Sequence, residues 1–450
     1  MKHYLKYFKE LIVLSLPILA GSLGNILIGT GSVIVAGRHS TITLGAISIA
    51  TAILMTILIA AIGLISSVSP VMSNLRGARK PTKSLFKATL IFSLTLACIF
   101  FIIARIIMYT VPYIGLASEL TVPVMQYMDI ASYSMFGVCL FVALKEYLQA
   151  YEIVVFANTI SIAGIFVNFF LCWVLVFGWG PIPPMGIIGL AIANCVIRIL
   201  EALILLAYCQ PFMKGRNRRY HLYIKELIKT GYPISLAVFC EFLGFNATAV
   251  IMGKFSTVYA AAHNVILTIT GATYMLPFSI GTALAVKVGF ANGEKNIVDI
   301  KRYIKAGMVI ILTIMFLSMF IYLFFTKQLM GIFTKDEAVI AAGAPVAIIV
   351  ICFLFFDGLQ CACSGALRGL KETKVMMYAM VFSFGCIGMP IGCVLAFKYN
   401  IVLMGFWFGL AVALFSASIL STLLLVRKVK KLEKKYVLQQ WPLSTSNFEG

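Results

Sequence analysis

Apolar runs long enough to cross a bilayer, parted by short polar connections, make up most of this chain. A spanning helix needs about 20 consecutive, mostly apolar residues. Twelve such stretches occur, at 10–37, 42–68, 86–109, 121–144, 153–178, 187–209, 229–253, 258–288, 305–326, 338–364, 374–397 and 401–426. No segment calls for a strand. The pattern therefore predicts an all-α polytopic membrane protein of twelve transmembrane helices, and an even number of crossings returns both termini to one side.

The pattern also repeats. With the sequence shifted by 216 positions, Pro17 meets Pro233, Gly37 meets Gly253 and Ser40-Thr41 meets Ser256-Thr257. Ala46 meets Ala262, Gly77 meets Gly293 and Arg79 meets Lys295, all without a gap. An ungapped register over two spans and both their loops predicts two six-helix lobes that enter the membrane in the same sense. Such parallel repeats are related by an axis along the membrane normal, with the substrate site between or within the lobes. The lobes are placed at 1–209 and 229–426, joined by a basic linker at 210–228 with an amphipathic piece on the membrane surface. A basic tail follows at 427–450, and its closing PLSTSNFEG reads as disordered.

Composition sharpens the class. The 450 residues are 61% hydrophobic and only 12% charged, with a mean hydropathy of +1.01. A soluble domain carries about 25% charged residues. The net charge of +20 would suggest nucleic acid in a soluble protein; in a membrane protein it follows from Lys and Arg gathering in cytoplasmic loops, so no nucleic-acid partner is expected. With the N-terminus inside, only Arg38, Arg105, Lys254, Lys327, Lys335 and Lys398 of the 36 basic residues fall in outer loops, and Arg198 lies within a span. Both termini are therefore expected in the cytoplasm, the protein being multi-pass in the cell membrane. The opening MKHYLKYFKE and its apolar run have the look of a signal peptide. As the counterpart of 231–253 they are expected to stay as the first span. Eleven cysteines lie in or at the ends of apolar segments without a paired CxxC, and read as small buried hydrophobes, Cys361 and Cys363 included.

Acids inside apolar runs are expensive and mark functional sites by default. Five are embedded or nearly so: Asp129, Glu146, Glu201, Glu241 and Asp357. Glu201 stands three residues from Arg198, which predicts an internal ion pair on one helix face. Glu146 follows Lys145 at a cytoplasmic end, where snorkelling accounts for it. Glu241 and Asp357 have no basic residue within a helical turn. Carboxylates so placed are expected to bind a proton, a metal cation such as Na⁺, or an organic cation. Phe242, Phe245, Tyr274, Met275, Phe278, Phe353, Phe355 and Phe356 crowd the same spans. Rings beside carboxylates suit lipophilic cations through cation–π attraction; lipid-facing rings would give the same pattern. Asn246 and Gln360, about one turn beyond the acids, are candidate polar partners. His263 reads as a relay or a packing residue, and Pro277, with Gly271 before it, as a bend or hinge in the eighth span.

These residues resemble those of the multidrug and toxic compound extrusion (MATE) transporters, and most of all the bacterial NorM-like branch. The resemblance covers all twelve spans. It is carried by SLPIL…VAG at 15–37, NLRGARK at 74–80, YPISL…CEFLGF at 232–245, AAAHNV at 260–265, YMLPFSIGTALAVKVGFANGEK at 274–295 and FFDGLQCACSGALRGLKET at 355–373. It implies two six-helix lobes and secondary-active antiport, a multidrug efflux of amphipathic organic cations against Na⁺ or H⁺ by alternating access. The implied protein is a monomer in the lipid bilayer, with no cofactor beyond the coupling ion, and is not an enzyme. Position by position, Glu241 matches the acid of the seventh helix and Asp357 that of the tenth, while Phe353 stands where some relatives have Tyr. In the first lobe, Ser32 stands where many relatives have Asp. Asn168 fits the helix-five Asn, Cys172 replaces its acidic or amide neighbour, and Asn194 replaces a Thr. Ser32, Asn168 and Asn194 thus form a polar first-lobe site without an acid, and ion coupling is expected at the second-lobe carboxylates. A flippase of lipid-linked precursors would favour an Arg- and Lys-lined cavity, and a membrane-embedded transferase or protease clustered acids or His at the surface; neither pattern is present. A passive channel fits large apolar lobes and lone acids less well than exchange does.

Overall fold

The computed structural model describes residues 2–113, 115–116, 118–213 and 220–440. The centre of the expected linker and the closing PLSTSNFEG lie outside the described residues. The chain forms sixteen α-helices among those described: α1 Lys2–His39, α2 Thr41–Ile65, α3 Val68–Gly77, α4 Lys83–Thr110, α5 Ser118–Ala131, α6 Ser134–Ala150, α7 Val155–Phe177, α8 Gly186–Tyr208, α9 Tyr220–Phe255, α10 Thr257–Gly293, α11 Ile297–Phe333, α12 Glu337–Gly343, α13 Ala347–Gly369, α14 Thr373–Val381, α15 Met389–Phe397 and α16 Val402–Gln440. A π-helical turn, Phe382–Gly388, joins α14 to α15. Among the described residues no strand forms beyond a single bridge between Trp179 and Ile182.

Eleven segments are long and apolar enough to cross a membrane, and a twelfth is the pair α5–α6, bent by 45°. That pair covers the expected fourth span. Its bend has a local cause: Ser132 and Ser134 turn their hydroxyls onto the carbonyls of Asp129 (2.9 Å) and Ala131 (2.6 Å). The Tyr133 amide bonds back three residues, to Ile130, so the α-helical ladder is interrupted there. By contrast, α10 runs unbroken from Thr257 to Gly293 through Pro277.

The repeat is visible in the backbone. Ser40 and Ser256, partners under the 216-residue shift, both cap the following helix, accepting from Thr43 N at 3.0 Å and Val258 N at 3.2 Å. Arg79 and Lys295, also partners, both adopt the left-handed region, with φ of 54° and 60°. Side chains avoid that region, so a shared turn there is more telling than a shared helix.

The chain divides into two compact units. One comprises 16–72 and 81–239; the other 1–15, 73–80 and 240–450. The expected linker falls within the first of these, and α1 passes from the second unit into the first after Ser15. In the first unit, Phe86 packs edge-on against Tyr147 at 4.9 Å, and Thr82 bonds the hydroxyl of Tyr151 at 2.7 Å. In the second, α10 and α13 cross where Gly281 meets Gly365; a Cβ on Gly365 would lie 2.3 Å from the Gly281 carbonyl oxygen. Small residues let spans approach closely, and in lipid that packing replaces the hydrophobic drive. The first turns of α1 are held in the same unit. Tyr303 donates to Glu10 at 2.5 Å, Lys287 pairs with Glu10 at 3.1 Å, and Tyr7 donates to Asp299 at 2.6 Å.

Candidate functional site

Two groups of polar residues sit inside the apolar body, one in each unit, and they differ in charge. In the unit of 240–450, Glu241 projects from α9 and Asp357 from α13. Asp357 is 3% exposed and Glu241 half-buried; Asp357 lies within reach of the Glu241 charge, and Tyr274 on α10 within reach of both. Among the described residues neither carboxylate is hydrogen-bonded or ion-paired. Buried charge without a partner is costly, so this is a place where a cation has most to offer. The two acids come from two helices, α9 and α13, and Tyr274 from a third, α10. Cys361, one turn beyond Asp357, lies within electrostatic reach of both acids. No group of three or more His, Cys, Asp or Glu side chains arranged to hold a metal ion occurs among the described residues. A bound Na⁺ would need carbonyl, hydroxyl or water oxygens besides the two carboxylates.

The aromatic candidates separate into near and far. Phe245, one turn after Glu241, meets Phe353, one turn before Asp357, at 5.9 Å, and Phe384 of the π-helical turn at 6.2 Å. Tyr274 and Phe278 contact at 5.7 Å on α10, and Met275 and Phe242 are half-buried beside the acid-bearing helices. Phe355 and Phe356 pack together at 5.3 Å, and Phe356 against Phe415 at 4.9 Å. The expected polar partners are turned elsewhere. Asn246 is exposed and donates to the Phe242 carbonyl of its own helix at 2.8 Å. Gln360 is buried and donates to Ser364 Oγ and Met380 Sδ, both at 3.1 Å.

The other unit brings Ser32, Asn168 and Asn194 together. Ser32 donates to Asn194 Oδ1 at 3.0 Å and to Asn168 Oδ1 at 3.3 Å, and Asn168 Nδ2 donates to Asn194 Oδ1 at 2.9 Å. Cys172 reaches Asn168 at 3.6 Å, and Asn194 Nδ2 donates to the Tyr127 hydroxyl at 3.2 Å. Every member is neutral and already engaged. We expect Ser32→Ala to lower stability by about 1 kcal/mol, the worth of one hydrogen bond, and to leave the ion dependence of export as in the wild type. Thermal unfolding and gradient-driven export measure the two effects; a loss of export as severe as that of Glu241→Gln would move the coupling site into this unit. Nearby, Glu201 faces Arg198 at 3.6 Å, the ion pair their spacing predicted, and Asp129 pairs with Arg105.

Tyr127 was absent from the sequence expectations, and Cys361 entered them only as a small buried hydrophobe. One is an ordinary aromatic and the other one cysteine of eleven. Only position four residues after Asp357, one helical turn, could have singled out Cys361.

The chain matches the MatE family model over residues 17–174 and 233–394, more than half its length. Relatives described as "Probable multidrug resistance protein NorM" are 26% identical over 424 residues in Xylella fastidiosa, covering 91% of this chain and 89% of the relative. In Xanthomonas axonopodis the figures are 28% over 419 residues, with 91% of each chain covered. Among solved structures, the eukaryotic MATE transporter AtDTX14 superposes with a TM-score of 0.86 at 19% identity, covering 96% of this chain and 99% of that one, a likeness of fold.

Proposed function

The chain belongs to the MatE family, and on that premise we propose that it is a secondary-active multidrug antiporter, exporting amphipathic organic cations in exchange for Na⁺ or H⁺ at Glu241 and Asp357. The observation that carries this reading is the pair itself: two carboxylates from different helices, mutually repelling, without hydrogen bonds and set beside Tyr274, Phe245 and Phe353. The pair attracts one cation strongly and disfavours holding two at once. Substrate and coupling ion therefore exclude one another, and alternating access turns that exclusion into exchange. Aromatic faces add attraction for flat or quaternary cations. The flippase alternative is less well supported, since the deep cations Arg198 and Lys287 are matched by Glu201 and Glu10.

The protein is a multi-pass membrane protein. We place it in the cytoplasmic membrane with both termini inside, on the distribution of its basic residues.

The test is export of ethidium from proteoliposomes under separately imposed Na⁺ and H⁺ gradients. One gradient should drive export, and dissipating it should stop export. If protons are the coupling ion, ethidium affinity should fall as pH falls, because protons compete for the same carboxylates. Export that ignores both gradients would overturn the antiport reading.

A further inference from the structure

The unit of 240–450 holds a second set of buried polar atoms that the exchange site does not use. His263 on α10 and Trp407 on α16 are both 0% exposed, with ring centroids 5.6 Å apart. Neither ring nitrogen of His263 nor Nε1 of Trp407 has a hydrogen-bond partner among the described residues. The main chain of Phe245 approaches the His263 ring without meeting it in hydrogen-bonding geometry. Three unpaired polar atoms on two adjoining buried rings are rare in a packed interior, where such groups are paired with protein or with ordered water. A buried water typically makes about three hydrogen bonds to groups of this kind.

Their position gives the pair a use. Trp407 packs edge-on against Phe353 at 5.5 Å, and Phe353 meets Phe245 at 5.9 Å. Phe353 is one turn before Asp357, and Phe245 one turn after Glu241. His263, Phe353 and Trp407 each lie about one and a half turns from the first residues of their helices, Thr257, Ala347 and Val402. They form one layer, and the carboxylates lie about 6 Å deeper, one helical turn. The titratable groups of the surrounding helices include Tyr259 and Tyr274 on α10, Cys240, Glu241 and Lys254 on α9, Tyr322 on α11, and Cys352, Asp357, Cys361, Cys363 and Arg368 on α13; Tyr322 is engaged with Thr273 at 3.2 Å. Among the described residues no charged side chain is hydrogen-bonded to the His263 ring.

We propose that His263 and Trp407 hold an internal water above the carboxylate pair, and that His263 is the group through which protons reach and leave that pair. The proposal rests on the exchange reading of Glu241 and Asp357 and adds the proton as an ion the site exchanges. Imidazole suits the task because one nitrogen accepts a proton while the other releases one. In each transfer one ring nitrogen takes a proton from a hydronium ion of the aqueous phase, which becomes water, and the proton on the other nitrogen passes to the internal water. The water passes a proton to a carboxylate, which becomes the neutral acid, and tautomer exchange resets the ring. Trp407 donates only, so it orients the water and carries no proton.

The test needs no substrate. Purified protein is taken through a rapid drop in pH, and the infrared band of the protonated carboxyl groups is followed in time, its assignment fixed by loss in a Glu241→Gln, Asp357→Asn double variant. His263→Gln keeps a polar side chain without a relay, and His263→Phe keeps the ring without nitrogens. Both should reach the wild-type amplitude, with a rate lower by about 100-fold, the scale of a positioned proton-transfer group. Trp407→Phe should slow the rate less. Wild-type rates in both His263 variants would overturn the proposal. A wild type whose carboxyl band does not respond to pH, but which exchanges Na⁺ for ethidium, would overturn it too while leaving the antiport reading standing. Absence of any ion-linked ethidium export would instead strike the antiport reading.

Discussion

Glu241→Gln and Asp357→Asn should each abolish coupled export, and the double variant should be little worse than either alone. The two carboxyl groups lie within electrostatic reach of one another in one unit, and among the described residues no basic side chain pairs with either of them. Removing one charge leaves the second still able to bind a cation, but without the repulsion that forces substrate and ion to alternate. In a linked system of ordinary strength the coupling ion changes substrate affinity by about 5–150-fold. That ratio should fall to one in each single variant. Residues in contact couple, whereas independent residues add their effects. The amides nearly preserve volume, and neither acid is hydrogen-bonded to protein, so expression and thermal unfolding should stay close to wild type. A double-mutant cycle on ethidium binding, with and without Na⁺ or a pH step, decides the matter. Additive losses would make the two acids separate features, and wild-type coupling in Glu241→Gln would place the exchange site elsewhere.

How much of this was legible in the sequence depends on what each feature rests on. The spans were legible because an apolar run longer than a bilayer is wide has few alternatives. The break in the fourth span was not, because Ser132 and Ser134 can bond either their own helix or a neighbour, and that choice is conformational. The carboxylates stood out because charge inside an apolar run is rare. Tyr127 did not, since an aromatic there is equally suited to lipid. The repeat carried the backbone but not the chemistry. Under the same shift Tyr7 meets Tyr223 and Glu10 meets Glu226, so the register extends back beyond Pro17. Yet Lys287, which pairs with Glu10, falls on Val71, and Glu241 falls on Asn25. A duplicated scaffold has thus kept its turns and caps in both halves and its free acids in one.

The contact that should tolerate substitution least is the crossing of α3 with the end of α10. Gly77 and Gly293 are partners in the repeat, and they meet each other's helices at backbone distance. A Cβ on Gly77 would lie 2.0 Å from the Phe290 carbonyl oxygen, and one on Gly293 would lie 2.2 Å from that of Asn74. Both obstacles are backbone, so no rotamer change relieves them and the helices must part. Parting them also strains the polar ladder beside the crossing. Asn74 donates to the Gly369 carbonyl at 2.8 Å, Asn292 donates to Asn74 Oδ1 at 2.6 Å, and Tyr436 donates to Asn292 Oδ1 at 2.9 Å. Overpacking of this kind costs about 1–3 kcal/mol, occasionally more. Gly77→Ala and Gly293→Ala should each lower the unfolding temperature of detergent-purified protein, and Gly77→Val should prevent recovery of folded protein. Because one Cβ already forces the helices apart, the double alanine variant should lose less than the sum of the singles. Gly253→Ala and Gly271→Ala are the controls, since a Cβ at either meets nothing within 4 Å. Alanine is the better helix former by about 1 kcal/mol, so these two should be neutral or stabilising. Equal stability of Gly77→Ala and Gly271→Ala would show that α3 and α10 do not cross at backbone contact.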